Sequence, residues 1–167
     1  MHTILITGAG SGIGKATAQR LASNPNNRLI LVGRTLEKLE DVLGTLENKE
    51  NHLSHSLDVS KKEELINFLD SSKADLENHP LVNVFANAGI GGPNIWGTRD
   101  KWQEIIDINL TGAYNTCMAS YPWLNKAAEK GIEIRNIAIT ASCLARFGVP
   151  GLTAYISSKT AIMGLVR

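Results

Sequence analysis

The chain is 167 residues long, room for one domain and little more. Hydrophobic residues make up 43% and charged residues 20%, a balance that excludes disordered and collagen-like chains. With 17 Lys and Arg against 16 Asp and Glu, the net charge of +1 gives no reason to expect nucleic acid or an anionic membrane as partner.

Residues 3–7 (T-I-L-I-T) read as a strand that stops in a glycine cluster, Gly8 to Gly14. A helix is expected from about Ile13 to Ser23, with Ile13, Ala16 and Leu21 on one side, followed by a loop at Asn24-Pro25-Asn26-Asn27. Leu29–Val32 is a continuous apolar run between turn residues, the mark of a strand buried on both faces. Leu36, Leu39, Leu43 and Leu46 recur at steps of three and four and predict one helix stripe. His52–Leu57 is a weaker strand, with Leu53 and Leu57 on one face. Lys61–Glu77 reads as a helix with Leu65, Phe68, Leu69 and Leu76 inward. Leu81–Ala86 is a strand, Lys101 to about Leu124 a long helix, Ile134–Ala141 a strand, and the chain from about Ala154 helical. No internal repeat, low-complexity tract or linker interrupts the pattern.

Strands separated by helices of this length pair in parallel, because a hairpin cannot return a strand in the same direction. The expectation is a doubly wound α/β sheet, a three-layer α/β/α Rossmann fold in a single domain over residues 1–167. Such sheets bind ligands at the carboxyl ends of their strands.

The segment Thr7-Gly8-Ala9-Gly10-Ser11-Gly12-Ile13-Gly14 joins a strand to a helix. Backbone N–H groups at a helix start, cleared of side chains, suit a pyrophosphate, and glycine permits the turn. Rival motifs fail by spacing. A P-loop needs Gly at 9 and Ser or Thr at 16, where Ala9 and Ala16 stand. A strict G-x-G-x-x-G fails at Ile13, and a nucleophile elbow on Ser11 lacks its glycines at 9 and 13. After the second strand, where an NAD-binding fold would place an acid, the chain reads Gly33-Arg34-Thr35. Arg34 suits a 2′-phosphate through a charge-assisted fork, so NADP(H) is expected over NAD(H).

Tyr155 and Lys159 are four apart and share a helix face. An ammonium beside the phenol, with an oxidised nicotinamide, would favour the phenolate and make the tyrosine a usable base. Ser142, just after the strand Ile134–Ala141, could polarise a carbonyl.

Taken together, the T-G-x-x-x-G-I-G opening, Asn87-Ala88-Gly89 after the fourth strand, Ser142 thirteen residues before Tyr155, and Y-x-x-x-K resemble the short-chain dehydrogenase/reductase family, in its compact, non-extended branch. The resemblance runs from Thr3 to Arg167. It implies Tyr155 as general acid/base, Lys159 on the nicotinamide ribose, and Ser142 on the substrate oxygen. Asn109 would sit in a distorted helix turn that holds a proton-relay water. Gly8, Gly10, Ser11, Gly12, Ile13 and Gly14 would cradle the cofactor, Asp58 would contact the adenine amino group, and Asn87, Ala88 and Gly89 would line the cofactor. Where the family begins N-N-A-G, this chain has Ala86. The resemblance also implies a further strand, a substrate-covering segment and a last strand after the tyrosine helix. The expectation is therefore a C-terminally truncated chain that binds NADP weakly, turns over little, and exposes Ile137-Ala138-Ile139 on an edge strand prone to association.

Other candidates carry less. His52 and His55 form H-x-x-H on a strand-like stretch, where a step of three puts them on opposite faces, so no metal site is expected. Two cysteines, Cys117 and Cys143, exclude a disulfide framework and a four-thiolate zinc site. Cys143 reads as packing, and Trp96, Trp102 and Trp123 as core or interface residues. No apolar run approaches the roughly 18 residues of a spanning helix. Ile4-Leu5-Ile6 is too short for a signal peptide, so a cytoplasmic protein without membrane partner is expected. The leading function is an NADP-dependent oxidoreductase acting on a small secondary alcohol or carbonyl compound, a homo-oligomer when full length. The alternative is a non-catalytic dinucleotide-binding module or sensor, and a third, a mononucleotide-binding signalling domain, is disfavoured by the failed P-loop spacing.

Overall fold

A computed structural model of the chain describes residues 1–94 and 100–167, so the expectation placed on Trp96 lies outside the described residues. Five parallel strands form one sheet: β1 (His2–Thr7), β2 (Asn27–Gly33), β3 (Leu53–Ser56), β4 (Leu81–Ala86) and β5 (Asn136–Ile139). Their order is β3-β2-β1-β4-β5. The chain winds outward to β3, then returns across β1 to β4, so the winding reverses between β1 and β4. This is the Rossmann arrangement expected, and its switch point fixes where a ligand cleft opens.

Strand alternation divides the core. Leu5, Ile30, Val32 and Val84 point to one face, where they meet Leu65, Phe68 and Leu69 of α3 (Lys62–Ser71), Leu76 of α4 (Lys73–Asn78), and Ala119, Trp123 and Leu124 of α6 (Gly112–Glu129). Ile4, Ile6, Leu29 and Leu31 point to the other, against Ala18 and Ala22 of α1 (Gly12–Ala22) and Leu39 and Val42 of α2 (Leu36–Gly44). The period of two sends neighbours in β1 and β2 to opposite layers, which is why their apolar runs are unbroken.

Several elements differ from the expectation. Helix α1 turns Gly14, Ala18 and Ala22 inward, while Ile13 is 65% exposed at its start. A helix that must sit this close to the sheet uses its small residues as the contact face. The stretch 61–77 is two helices, because Ser71 and Ser72 both donate their hydroxyls to the Phe68 carbonyl and end the first. The long helix is α5 (Trp102–Ile106), a widened π turn over Asp107–Thr111, and α6. Gly112 N–H donates to Asp107 O there, five residues back. Leu36 lies exposed at the head of α2, whereas Leu46 is buried beyond its end. Leu53 is exposed and Leu57 is buried just past β3, so the two do not share an environment. Strand β5 covers the four central residues of the segment expected, and the last helix is α7 (Thr153–Leu165). Cys143 is exposed, not packed; Trp123 is buried and Trp102 exposed.

Candidate active site

The carboxyl ends of β1, β4 and β5 are tied together by side chains. Thr7 Oγ1 accepts from the N–H groups of Asn87 and Ala88 at 3.0 and 3.1 Å. Asn87 Nδ2 donates to Thr7 O at 3.1 Å, and Thr140 Oγ1 donates to Asn87 Oδ1 at 2.9 Å. Lys159 Nζ closes the chain by donating to Thr140 O at 2.7 Å. Asn87 is therefore a brace between strands before it is a wall of the cleft.

The glycine turn is shaped by close approach. Gly8 has φ +67°, and a Cβ there would come within 2.8 Å of Ala88 Cα. A Cβ on Gly14 would fall 2.2 Å from Gly8 O, which no side chain can occupy. Gly12, at φ +52°, starts α1 with open space around it, and the hydroxyl of Ser11 caps no helix N–H. The first turn of α1 thus presents its donors to the cleft, at the positive end of the helix.

Two cavities meet over this turn, sharing Gly8, Ser11, Gly89 and Ile90. The smaller, about 230 Å³, is bounded on the β2 side by Arg34, Lys38 and Asp58. The larger, about 570 Å³, reaches Ile13, Thr140, Leu144, Tyr155 and Lys159. The row from Arg34 to Tyr155 therefore forms one groove across the switch point of the sheet.

At the far end, Lys159 is buried, and that burial pushes its ammonium below the usual lysine range. Its Nζ stands 6.0 Å from the centre of the Tyr155 ring and 3.5 Å from where a Gly89 Cβ would lie. Asn109 is fully buried in the widened turn. Its Nδ2 donates to Ile90 O and to Ser158 Oγ, and its Oδ1 accepts from Ile90 N–H at 2.8 Å. Asn109 thus fixes the floor of the cleft to α7. Ser142 follows β5 and stands between Thr140 and Leu144, both of which wall the larger cavity. Its Oγ accepts from Leu144 N–H at 3.2 Å, which holds the hydroxyl in place and keeps its proton available to donate.

At the near end, burial raises the Asp58 carboxyl, but donation from Ser60 N–H and its hydroxyl, with Arg34 and Lys61 nearby, outweighs this and holds it below the usual range. Arg34 lies half-exposed, with its guanidinium 3.8 Å from the Glu104 carboxylate.

The sequence profile of the short chain dehydrogenase family matches residues 2–167. The chain belongs to the short-chain dehydrogenase family. An uncharacterized oxidoreductase of Listeria monocytogenes is 34% identical over 168 residues, covering 98% of this chain and 64% of that protein. Among solved structures, an alcohol dehydrogenase from the archaeon Thermococcus sibiricus, complexed with 5-hydroxy-NADP, is 31% identical with a TM-score of 0.83; the match covers all of this chain and 69% of that one. An NAD+-bound xylitol dehydrogenase is 30% identical with a TM-score of 0.85, covering 98% and 62%. The chain thus spans just under two thirds of the Listeria relative.

Within this short-chain dehydrogenase frame, most residues singled out by motif line the groove; Gly14 packs beneath the turn against Gly8, Ser142 stands next to the wall between Thr140 and Leu144, and Asn109 braces the cleft from below. Four others carry the geometry without a role having been expected of them. Thr7 and Thr140 join the strand ends, Ser158 connects Asn109 to α7, and Lys38 lines the Arg34 end. Asn94 is a fifth: its Oδ1 accepts from Ala154 N–H and caps the helix that carries Tyr155, across sixty residues of sequence. Thr7 left a signal as the head of the glycine motif, and Lys38 as a cation four residues after Arg34 in the first turn of α2. Among the described residues no helix is long and apolar enough to cross a membrane, and no three His, Cys, Asp or Glu side chains gather as metal ligands.

Proposed function

We propose that residues 1–167 form one cofactor-binding and catalytic domain of an oxidoreductase that moves a hydride between NADP(H) and a small secondary alcohol or carbonyl compound. The observation that carries this reading is the buried Lys159, anchored on Thr140 O beside Tyr155 in a cavity continuous with the glycine turn. A pure binding module or sensor has no use for a lysine desolvated next to a phenol. The groove fits a dinucleotide on its own terms: a helix start with uncapped donors at its centre, a cation pair at one end, and an ammonium with protons to spare at the other.

When bound, the nicotinamide supplies or accepts the hydride. The chain does the rest. Gly8, Gly10, Ser11, Gly12, Ile13 and Gly14 hold the pyrophosphate against the first turn of α1, with the apolar Ile13 side chain covered in the process. Asp58 meets the adenine amino group, and Asn87, Ala88 and Gly89 form the wall behind the cofactor. Lys159 donates to the nicotinamide ribose hydroxyls. Ser142 donates to the substrate oxygen, and Tyr155 gives that oxygen its proton on reduction or takes it on oxidation. The widened turn at Asn109 holds the water through which the proton reaches solvent. Arg34, with Lys38 beside it, would face the 2′-phosphate, and this pair of cations supports reading NADP(H) ahead of NAD(H). The relatives' cofactors include both kinds, an NADP derivative in one and NAD+ in the other. The full-length protein acts in the cytoplasm as a homo-oligomer.

The test combines NADPH binding with NADPH oxidation on a panel of ketones. Tyr155→Phe is expected to bind NADPH as the wild type does and to lose at least about 100-fold in turnover. Retention of more than a tenth of the activity removes Tyr155 from the chemistry. In a form as long as the relatives, tight NADPH binding with no turnover on any ketone favours the binding module instead.

A further inference from the structure

The Arg34 end of the groove carries an acid that the cofactor reading does not use. Glu104 lies on α5, one turn before Ile108, and Ile108 lines the same small cavity as Arg34. The Glu104 Oε1 stands 3.8 Å from Arg34 Nη1, with both side chains about half-exposed. The other acid there, Asp58, is held by Ser60, so Glu104 is the carboxylate that meets the guanidinium. Among the described residues, Lys38 makes no ion pair.

We infer that Glu104 is a specificity-determining residue, which occupies Arg34 in place of the 2′-phosphate and so narrows the preference between phosphorylated and unphosphorylated cofactors. This rests on the reading of Arg34 as the 2′-phosphate contact. A guanidinium drawn toward a carboxylate has that much less of its charge and fewer of its donors to offer a phosphate, whereas a ligand with a free 2′-hydroxyl leaves the pair intact. Glu104 thus subtracts from the affinity for one class of ligand only.

The experiment titrates adenosine 2′,5′-bisphosphate and AMP into the wild type, Glu104→Gln, Arg34→Met and the double variant by calorimetry, with melting curves confirming the fold. Glu104→Ala serves in place of the amide if that variant fails to fold. Removing the Glu104 charge is expected to strengthen binding of the bisphosphate about two- to fivefold, the range of a half-exposed ion pair, and to leave AMP unchanged. In the Arg34→Met background the gain should vanish. A gain that survives there shows direct repulsion of the phosphate and overturns the competition. Equal changes for the two ligands, or none, overturn it as well. A wild type that binds the bisphosphate no better than AMP defeats the reading of Arg34, unless Glu104→Gln restores the difference, which would show the pair holding the site in balance.

Discussion

The two flanks of the sheet are built differently. Strand β1 is buried along nearly its whole length and β2 over Leu29–Val32, each flanked by strands on both sides and covered by a helix layer on each face. Strand β5 is four residues long, mostly exposed, and paired on one side among the described residues. The Arg34 end of the groove therefore stands on a closed core. The Tyr155 end hangs from hydrogen bonds instead: Thr140 to Asn87, Lys159 to Thr140, Asn109 to Ser158, Asn94 to Ala154. Packing fixes the first half, and directional polar contacts fix the second. Damage to the first should act through stability and binding, and damage to the second through orientation and association.

The largest effect is expected where the closed half is tightest. Gly14→Ala would place a methyl 2.2 Å from Gly8 O, so α1 must move off the sheet. We expect a loss of about 3 kcal/mol in stability with cofactor binding abolished, measured by denaturant melts and NADPH titration. A stable variant that still binds would show that the turn is pliable. Next comes Arg34→Asp, which should cost about tenfold to a hundredfold in NADP affinity and leave NAD little changed, read by titrating both. An unchanged ratio would take Arg34 out of the site.

A third test stays within the closed half but uses its one buried histidine. His52 is 4% exposed; its Nδ1 accepts from Leu29 N–H at 3.2 Å, so Nε2 carries the proton and donates to Glu47 O at 3.0 Å. Burial, and secondarily the positive Arg28, holds it below the ordinary histidine range against the opposing bond to Glu47 O. The unfolded chain then takes up its proton first, so stability is full above about pH 6.5 and falls as pH drops below it, levelling off beneath the folded value. Melting temperature against pH should show this slope, and His52→Gln should flatten it. A slope unchanged in the variant would assign it elsewhere.

The smallest effect on folding belongs to the open half. Ile137→Lys, on the partly exposed strand β5, is expected to change stability by no more than about 0.5 kcal/mol. It should nevertheless shift the chain toward monomer on size exclusion, because a charge on an edge strand opposes strand-to-strand pairing. An elution profile identical to wild type would show that association, if any, uses another surface.

The sequence by itself determined a good deal. Unbroken apolar runs set β1, β2 and β4 in a parallel sheet, and the glycines placed the groove at a strand–helix junction. Those signals are local: period, turn chemistry and a helix face are written within ten residues of one another. Where two long-range demands met, the tertiary structure decided. The inward face of α1 is Gly14, Ala18 and Ala22, and not the larger Ile13, because the sheet leaves room only for small residues. The widened turn at Asp107–Thr111 occurs where Asn109 is held by Ile90 and Ser158, and Gly112 is pressed to within 2.6 Å of Val59 for any added Cβ. Thr7, Thr140, Asn94 and Glu104 acquire their roles only from partners brought close by the winding of the sheet. A hydrogen bond or ion pair across many residues leaves no periodic trace in the chain, so only the folded geometry shows it.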